Sequence, residues 1–314
     1  MTQIGETSLL ARARGGDKRA IARLLTVVEN EEPGAADAIR ELYPQTGRAR
    51  VIGVTGPPGG GKSTLVNRLA GAYREKGERV AVVAVDPSSP FSGGALLGDR
   101  IRMQERSLDE GLFIRSMASR GHAGGLARTI SRVVNVLDAI GYGVVLVETV
   151  GVGQEEVEVI RVVDSVALVT VPGLGDDIQA IKAGVLEIAD VLVVNKADRP
   201  GADETARDLA QMLTLGKLRT EWKPPIIRTV AATGENVPQL VDALERHRTW
   251  AIESGERERR RRDAARADVE DLLREALVRR LRDHIGPTAV DRAVARVADR
   301  DIDPYTAVEE LLRQ

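Results

Sequence analysis

Residues 56–64 read Gly56-Pro57-Pro58-Gly59-Gly60-Gly61-Lys62-Ser63-Thr64, a full G-x-x-x-x-G-K-S run. Glycines at this density let successive backbone N–H groups converge on phosphate oxygens at the amino terminus of a helix. Lys62 is then placed to neutralise β- and γ-phosphates, and the Ser63 hydroxyl to ligate Mg²⁺. Context separates such a loop from an ordinary turn. The residues before it, Arg50–Thr55, predict a strand, and those after it, Thr64–Lys76, an amphipathic helix.

Working outward, apolar segments of strand length occur at Val51–Val54, Val80–Val85, Val144–Val147, Val166–Val171, Val191–Val194 and Ile226–Val230. Helical stretches separate them. Strands that are apolar throughout, alternating with helices, predict a mainly parallel sheet covered on both faces. One α/β domain is therefore expected over 49–250. Residues 1–48 read as an extension of short helices, with Asp17 as a cap and Ile21, Leu24, Leu25 and Val28 at helical spacing. Residues 251–314 read as a carboxy-terminal helical arm. Its first part, 255–268, carries six arginines among four acids and reads as a solvated helix. Val269, Leu272, Leu273, Ala276, Leu277 and Leu281 follow as an apolar seam, which must be buried on its own core or on another subunit. Asp303-Pro304 predicts the start of a last helix.

A second nucleotide motif, Asn195-Lys196-Ala197-Asp198, directly follows the strand at 191–194. The Asp198 carboxylate can accept hydrogen bonds from guanine N1–H and the 2-amino group. Adenine offers neither in that arrangement, and a binding site penalises such mismatches heavily. GTP is thus the expected nucleotide. After the next strand, Ala231, Ala232 and Thr233 fit a loop whose backbone N–H groups support guanine O6.

Three acids lie at strand ends or in loops between these motifs. Asp86 closes 80–85, Asp99 sits in a glycine-rich segment, and Glu148 ends 143–147. Carboxylates so placed hold Mg²⁺ or its water shell, which makes Ser63, Asp86, Asp99 and Glu148 the candidate metal residues. Lys62, Asp86 and Glu148 are the candidate catalytic residues. Small regulatory GTPases place a water-orienting glutamine after the D-x-x-G glycine. Here Val152 follows Gly151, and Gln154 comes two residues later. Intrinsic hydrolysis is expected to be slow.

Composition removes other classes. The chain has 314 residues and no cysteine, which excludes disulfides, thiolate metal sites and a cysteine nucleophile. A net charge of −2 provides no global field for nucleic acid. No apolar run is long enough to span a membrane, and the amino terminus lacks a secretory pattern, so a cytoplasmic location is expected.

These motifs resemble the MeaB/ArgK family of P-loop GTPases, which includes the human methylmalonic aciduria type A protein. The resemblance rests on residues 56–64 and 195–198, and on VDPSSPFSGGALLGDRIRM (85–103), SRGHAGGLA (119–127), VETVGVGQEE (147–156) and VPGLGDDIQAIKAG (171–184). It covers nearly the whole chain. Phe91-Ser92, His122-Ala123 and Ala231-Ala232 are local departures that remove no charged or glycine position. The resemblance implies a homodimeric GTPase, joined through its carboxy-terminal arm. Its implied role is to chaperone an adenosylcobalamin-dependent acyl-CoA mutase, chiefly methylmalonyl-CoA mutase, with cobalamin adenosyltransferase as a further partner. It also implies a loop at about 172–184, including Lys182, that transmits the nucleotide state to the mutase. Related nickel and cobalt insertases share the GTPase core but hold metal through cysteines, which this chain lacks. No pattern here reads cobalamin itself. Two other readings remain open at this level: an ATP-dependent kinase or transport-associated ATPase, and a GTP-binding interaction module without significant turnover.

Overall fold

The structure is a computed structural model that describes residues 3–87, 109–119, 125–149, 162–173, 186–215 and 220–313; a few side chains at the ends of these stretches, Asp86 among them, lie outside the description. Two compact units are present, Met1–Arg260 and Arg261–Gln314.

The first unit begins with helices α1 (Gln3–Arg14), α2 (Lys18–Glu29) and α3 (Ala35–Leu42). Asp17 caps α2, its carboxylate accepting from the N–H groups of Arg19 and Ala20 at 2.9 and 3.2 Å, as its position before an apolar helical repeat predicts. Then follow β1 (Arg50–Thr55), α4 (Lys62–Glu75), β2 (Val80–Pro87), β3 (Leu112–Ser119), α5 (Gly125–Ala139), β4 (Val144–Thr149) and β5 (Ser165–Thr170). β6 (Val191–Asn195), α6 (Ala202–Leu215), β7 (Ile226–Thr229) and α7 (Val237–Glu253) complete the sheet and its covering.

The seven strands form one sheet in the order β3-β2-β4-β1-β5-β6-β7, with every pairing parallel. Six of them match the apolar segments of the sequence. The seventh, β3, does not. Its run LFIRSMAS is interrupted by Arg115 and Ser116, as suits an edge strand that, among the described residues, pairs only with β2.

Strand alternation divides the core. Ile52, Val54, Leu146 and Val169 face α4 and α7, packing with Leu65, Leu69, Leu240 and Leu244. Val51, Val83, Val145 and Val147 face the other way, onto α5 and the amino-terminal helices, where Ile21, Leu24, Leu25, Val28 and Leu42 are buried. The amino-terminal helices therefore cover one sheet face within the same core. Leu65, Leu69 and Leu146 are fully enclosed, and each such side chain contributes about 1.5–3 kcal/mol through burial.

At the end of the sheet away from the phosphate loop, buried Asp190 ties β5, β6 and α7 to the first turn of α8 (Glu256–Ile285). It accepts from the Val166 N–H at 2.9 Å and from both terminal nitrogens of Arg260 at 2.8 and 2.9 Å. His247 lies between them, with Nδ1 2.7 Å from Ser165 Oγ and Nε2 3.1 Å from Asp190 Oδ1. Burial favours the neutral carboxyl, but Arg260 and His247 outweigh it and hold Asp190 below the usual carboxylate range.

The second unit contains most of α8, followed by α9 (Pro287–Ala298) and α10 (Pro304–Leu312). Asp303 caps α10 by accepting from the N–H groups of Tyr305 and Thr306. Along α8, Val269, Leu272, Leu273 and Leu277 are exposed in the single chain. Among the described residues, no helix is long and apolar enough to cross a membrane.

Candidate functional site

The phosphate loop spans the turn from β1 into α4. Its glycines are needed where the chain approaches other backbone. A Cβ at Gly56, whose φ is +145°, would stand 2.0 Å from the Val169 carbonyl oxygen on β5. A Cβ at Gly61, φ +82°, would stand 2.5 Å from Asn195 Nδ2. At Gly56 no L side chain fits without shifting the β5 backbone; at Gly61 the Asn195 amide would have to move, and the left-handed φ would strain any L residue.

Lys62 is the first residue of α4 and is buried. Its Nζ donates to the carbonyls of Gly56 and Pro57 at 2.8 and 2.9 Å, so the ammonium is folded over its own loop. Ser63 donates through Oγ to Glu148 Oε1 at 2.6 Å. Glu148 is only 2% exposed and belongs to β4, beside β1. Two candidate metal residues are thus in direct contact although 85 positions apart.

Asp86 is the next-to-last residue of β2, two positions past Ala84, which pairs with Glu148. Its side chain lies outside the described residues, as do Asp99, Val152, Gln154 and residues 174–184 of the candidate signalling loop. Among the described residues, no three His, Cys, Asp or Glu side chains gather to hold a metal ion. Mg²⁺ keeps several waters and takes only one or two protein oxygens in nucleotide sites, so the Ser63 hydroxyl and Glu148 carboxylate fit its chemistry.

The second motif meets the first through Asn195, the last residue of β6. Its Nδ2 donates to the Gly60 carbonyl at 2.8 Å. Its Oδ1 accepts from the Ala231 N–H at 3.1 Å and from Thr229 Oγ1 at 3.2 Å. Lys196, with a left-handed φ of +56°, donates through Nζ to the Gly59 carbonyl at 2.7 Å. Phosphate loop, N-K-A-D turn and 231–233 loop therefore form one connected surface. Asp198 is solvent-exposed on it, as are Pro58, Gly59, Thr64, Ala232 and Thr233.

One participant had no signature in the sequence. Arg68, on α4, donates through Nε to the Ala231 carbonyl at 3.0 Å and through a second nitrogen to the Ala232 carbonyl. An arginine six residues past the loop lysine carries no motif. Only the packing of α4 beside the 231–233 loop reveals it.

The family model described as methylmalonyl-CoA mutase-associated GTPase MeaB matches residues 21–285. A Pyrococcus abyssi chain that carries a GTPase name is 47% identical, covering 98% of this chain and 95% of its own. The GTPase ArgK of Escherichia coli is 36% identical over 78% of this chain and 77% of its own. The mouse methylmalonic aciduria type A homolog is 37% identical over 74% of this chain and 57% of its own. Among solved structures, one named LAO/AO transport system kinase matches with a TM-score of 0.73 at 25% identity, covering 100% of this chain and 98% of that one.

Proposed function

The chain belongs to the MeaB family of methylmalonyl-CoA mutase-associated GTPases, and from that membership and its joined nucleotide loops we propose that it is a Mg²⁺-dependent GTPase that chaperones an adenosylcobalamin-dependent acyl-CoA mutase. The observation that carries the nucleotide reading is the Asn195 side chain, bonded at once to the phosphate loop and to the 231–233 loop. In this reading that contact joins a phosphate cradle to a guanine-selecting turn.

In this reading the backbone of 56–64 surrounds the β- and γ-phosphates, and Lys62 turns from the Gly56 and Pro57 carbonyls to their oxygens. Ser63 and Glu148, with Asp86 and Asp99, hold Mg²⁺. The ion supplies charge neutralisation on the phosphate oxygens. Asp198 accepts from guanine N1–H and the 2-amino group, while Lys196 covers the base with its aliphatic stem.

Chaperoning follows from the family's name and from the loop at 172–184, which would couple nucleotide state to methylmalonyl-CoA mutase. The exposed seam of α8, from Val269 to Leu277, suits a homodimer contact. Cobalamin adenosyltransferase is a further candidate partner, and the cytoplasm the candidate location. The test is Mg²⁺-dependent hydrolysis of GTP and ATP side by side, with gel filtration of the protein and purified mutase under each nucleotide. Turnover of ATP as fast as GTP, or no nucleotide-sensitive complex, would refute the proposal.

A further inference from the structure

We propose that Arg68 is a positioning residue for purine selection, fixing the 231–233 loop so that the Ala232 N–H is presented to position 6 of the base. The inference rests on the guanine-nucleotide reading above and adds a residue and a mechanism to it.

The loop's polar groups can be followed one by one. The Ala231 N–H is taken by Asn195 Oδ1 at 3.1 Å. The N–H groups of Thr233 and Gly234 are taken by the Val230 carbonyl at 3.1 and 2.9 Å. The carbonyls of Ala231 and Ala232 are taken by the two arms of the Arg68 guanidinium. Between Val230 and Gly234, the Ala232 N–H is left with no acceptor among the described residues, on an exposed residue.

The geometry of the peptide bond gives this arrangement a direction. No peptide bond in the described residues is cis. In a trans unit the C=O and the following N–H point to opposite sides. Arg68 holds the Ala231 carbonyl toward α4, so the same peptide plane turns the Ala232 N–H away from α4. A donor fixed in that way suits an acceptor such as guanine O6 and is mismatched to the adenine 6-amino group. A guanidinium grips two carbonyls at once because its donors form a rigid fork; a lysine reaches one at a time. Arg68 lies six residues after Lys62 on the same helix, so the element that begins at the phosphates also sets the base loop.

The test compares GDP, 6-thio-GDP, IDP and ADP binding to wild type, Arg68→Gln and Arg68→Lys. 6-Thio-GDP keeps N1–H and the 2-amino group but weakens the acceptor at position 6. IDP keeps O6 but lacks the amino group expected at Asp198. Wild type should prefer GDP to ADP and to 6-thio-GDP. Arg68→Gln should lose about five- to tenfold in GDP affinity, the worth of one hydrogen bond. Its GDP to 6-thio-GDP ratio should fall toward one while its GDP to IDP ratio holds, and Arg68→Lys should lie between. Melting of the nucleotide-free variants checks that each is folded. Folded variants that keep the GDP to 6-thio-GDP ratio, or that lose affinity for all ligands equally, overturn the role of Arg68. A wild type with no preference for GDP over ADP overturns the guanine reading itself, and this inference with it.

Discussion

Asn195 donates its side-chain amide N–H to the Gly60 carbonyl at 2.8 Å, joining the end of β6 to the phosphate loop across 135 residues. The same side chain accepts from the Ala231 N–H, and it is 1% exposed. Replacing Asn195 with alanine leaves a buried carbonyl and a buried N–H unpaired. Urea denaturation of the nucleotide-free protein should show a loss of about 2 kcal/mol, accompanied by weaker GDP binding. Unchanged stability and affinity would mean that the two loops hold their positions without Asn195.

Base choice is expected to run through Asp198. In Asp198→Asn the carboxylate acceptor becomes an amide that can donate to the 2-oxo group of xanthine. GTP affinity should fall and XTP affinity rise, as measured by competition with a fluorescent nucleotide. If neither affinity moves, Asp198 does not read the base.

The contact of Ser63 with Glu148 predicts a separation between catalysis and folding. Ser63→Ala and Glu148→Gln should each lower Mg²⁺-dependent GTP turnover by more than tenfold, on the order expected for losing oriented electrostatic stabilisation. Neither should much change melting without nucleotide. A large drop in melting temperature with turnover per folded molecule preserved would make the pair a structural contact.

Asp190 sets an expectation for acid. Its folded pKa lies below its unfolded value, so the stability it contributes is present above about pH 4 and is lost as pH falls through the folded value. Asp190→Ala leaves Arg260, His247 and the Val166 N–H without their shared acceptor, and should cost about 3 kcal/mol at neutral pH. In urea titrations from pH 7 to 3 the gap between the variant and wild type should narrow at the acid end. A gap independent of pH would mean that the carboxylate charge contributes nothing.

The sheet and its phosphate loop were legible because each carries a local signal. Five strands are apolar nearly throughout and β7 opens on Ile226-Ile227 before Arg228, and the glycines of 56–61 obey a fixed spacing. β3 was not legible, since an edge strand tolerates Arg115 and Ser116 where a central strand would not. At the site, Lys62, Ser63 and Asn195 could be named from motifs. Their partners could not, because Gly60 with Asn195, Ser63 with Glu148 and Arg68 with Ala231 are each separated by 85 residues or more. Such contacts depend on strand order, and periodicity along a sequence does not encode strand order.

The central claim is that this GTPase serves a partner enzyme, and its most direct test is the rate of GTP hydrolysis with and without purified methylmalonyl-CoA mutase. Hydrolysis alone should be slow, and the mutase should accelerate it through a coupling of about 1–3 kcal/mol, some 5- to 150-fold. Asp176→Ala, Gln179→Ala and Lys182→Ala should retain most basal turnover and lose that acceleration. Acceleration undiminished in all three would move the signal to another part of the chain. A GTP hydrolysis rate identical with and without the mutase, at concentrations well above those needed for complex formation, would contradict the account.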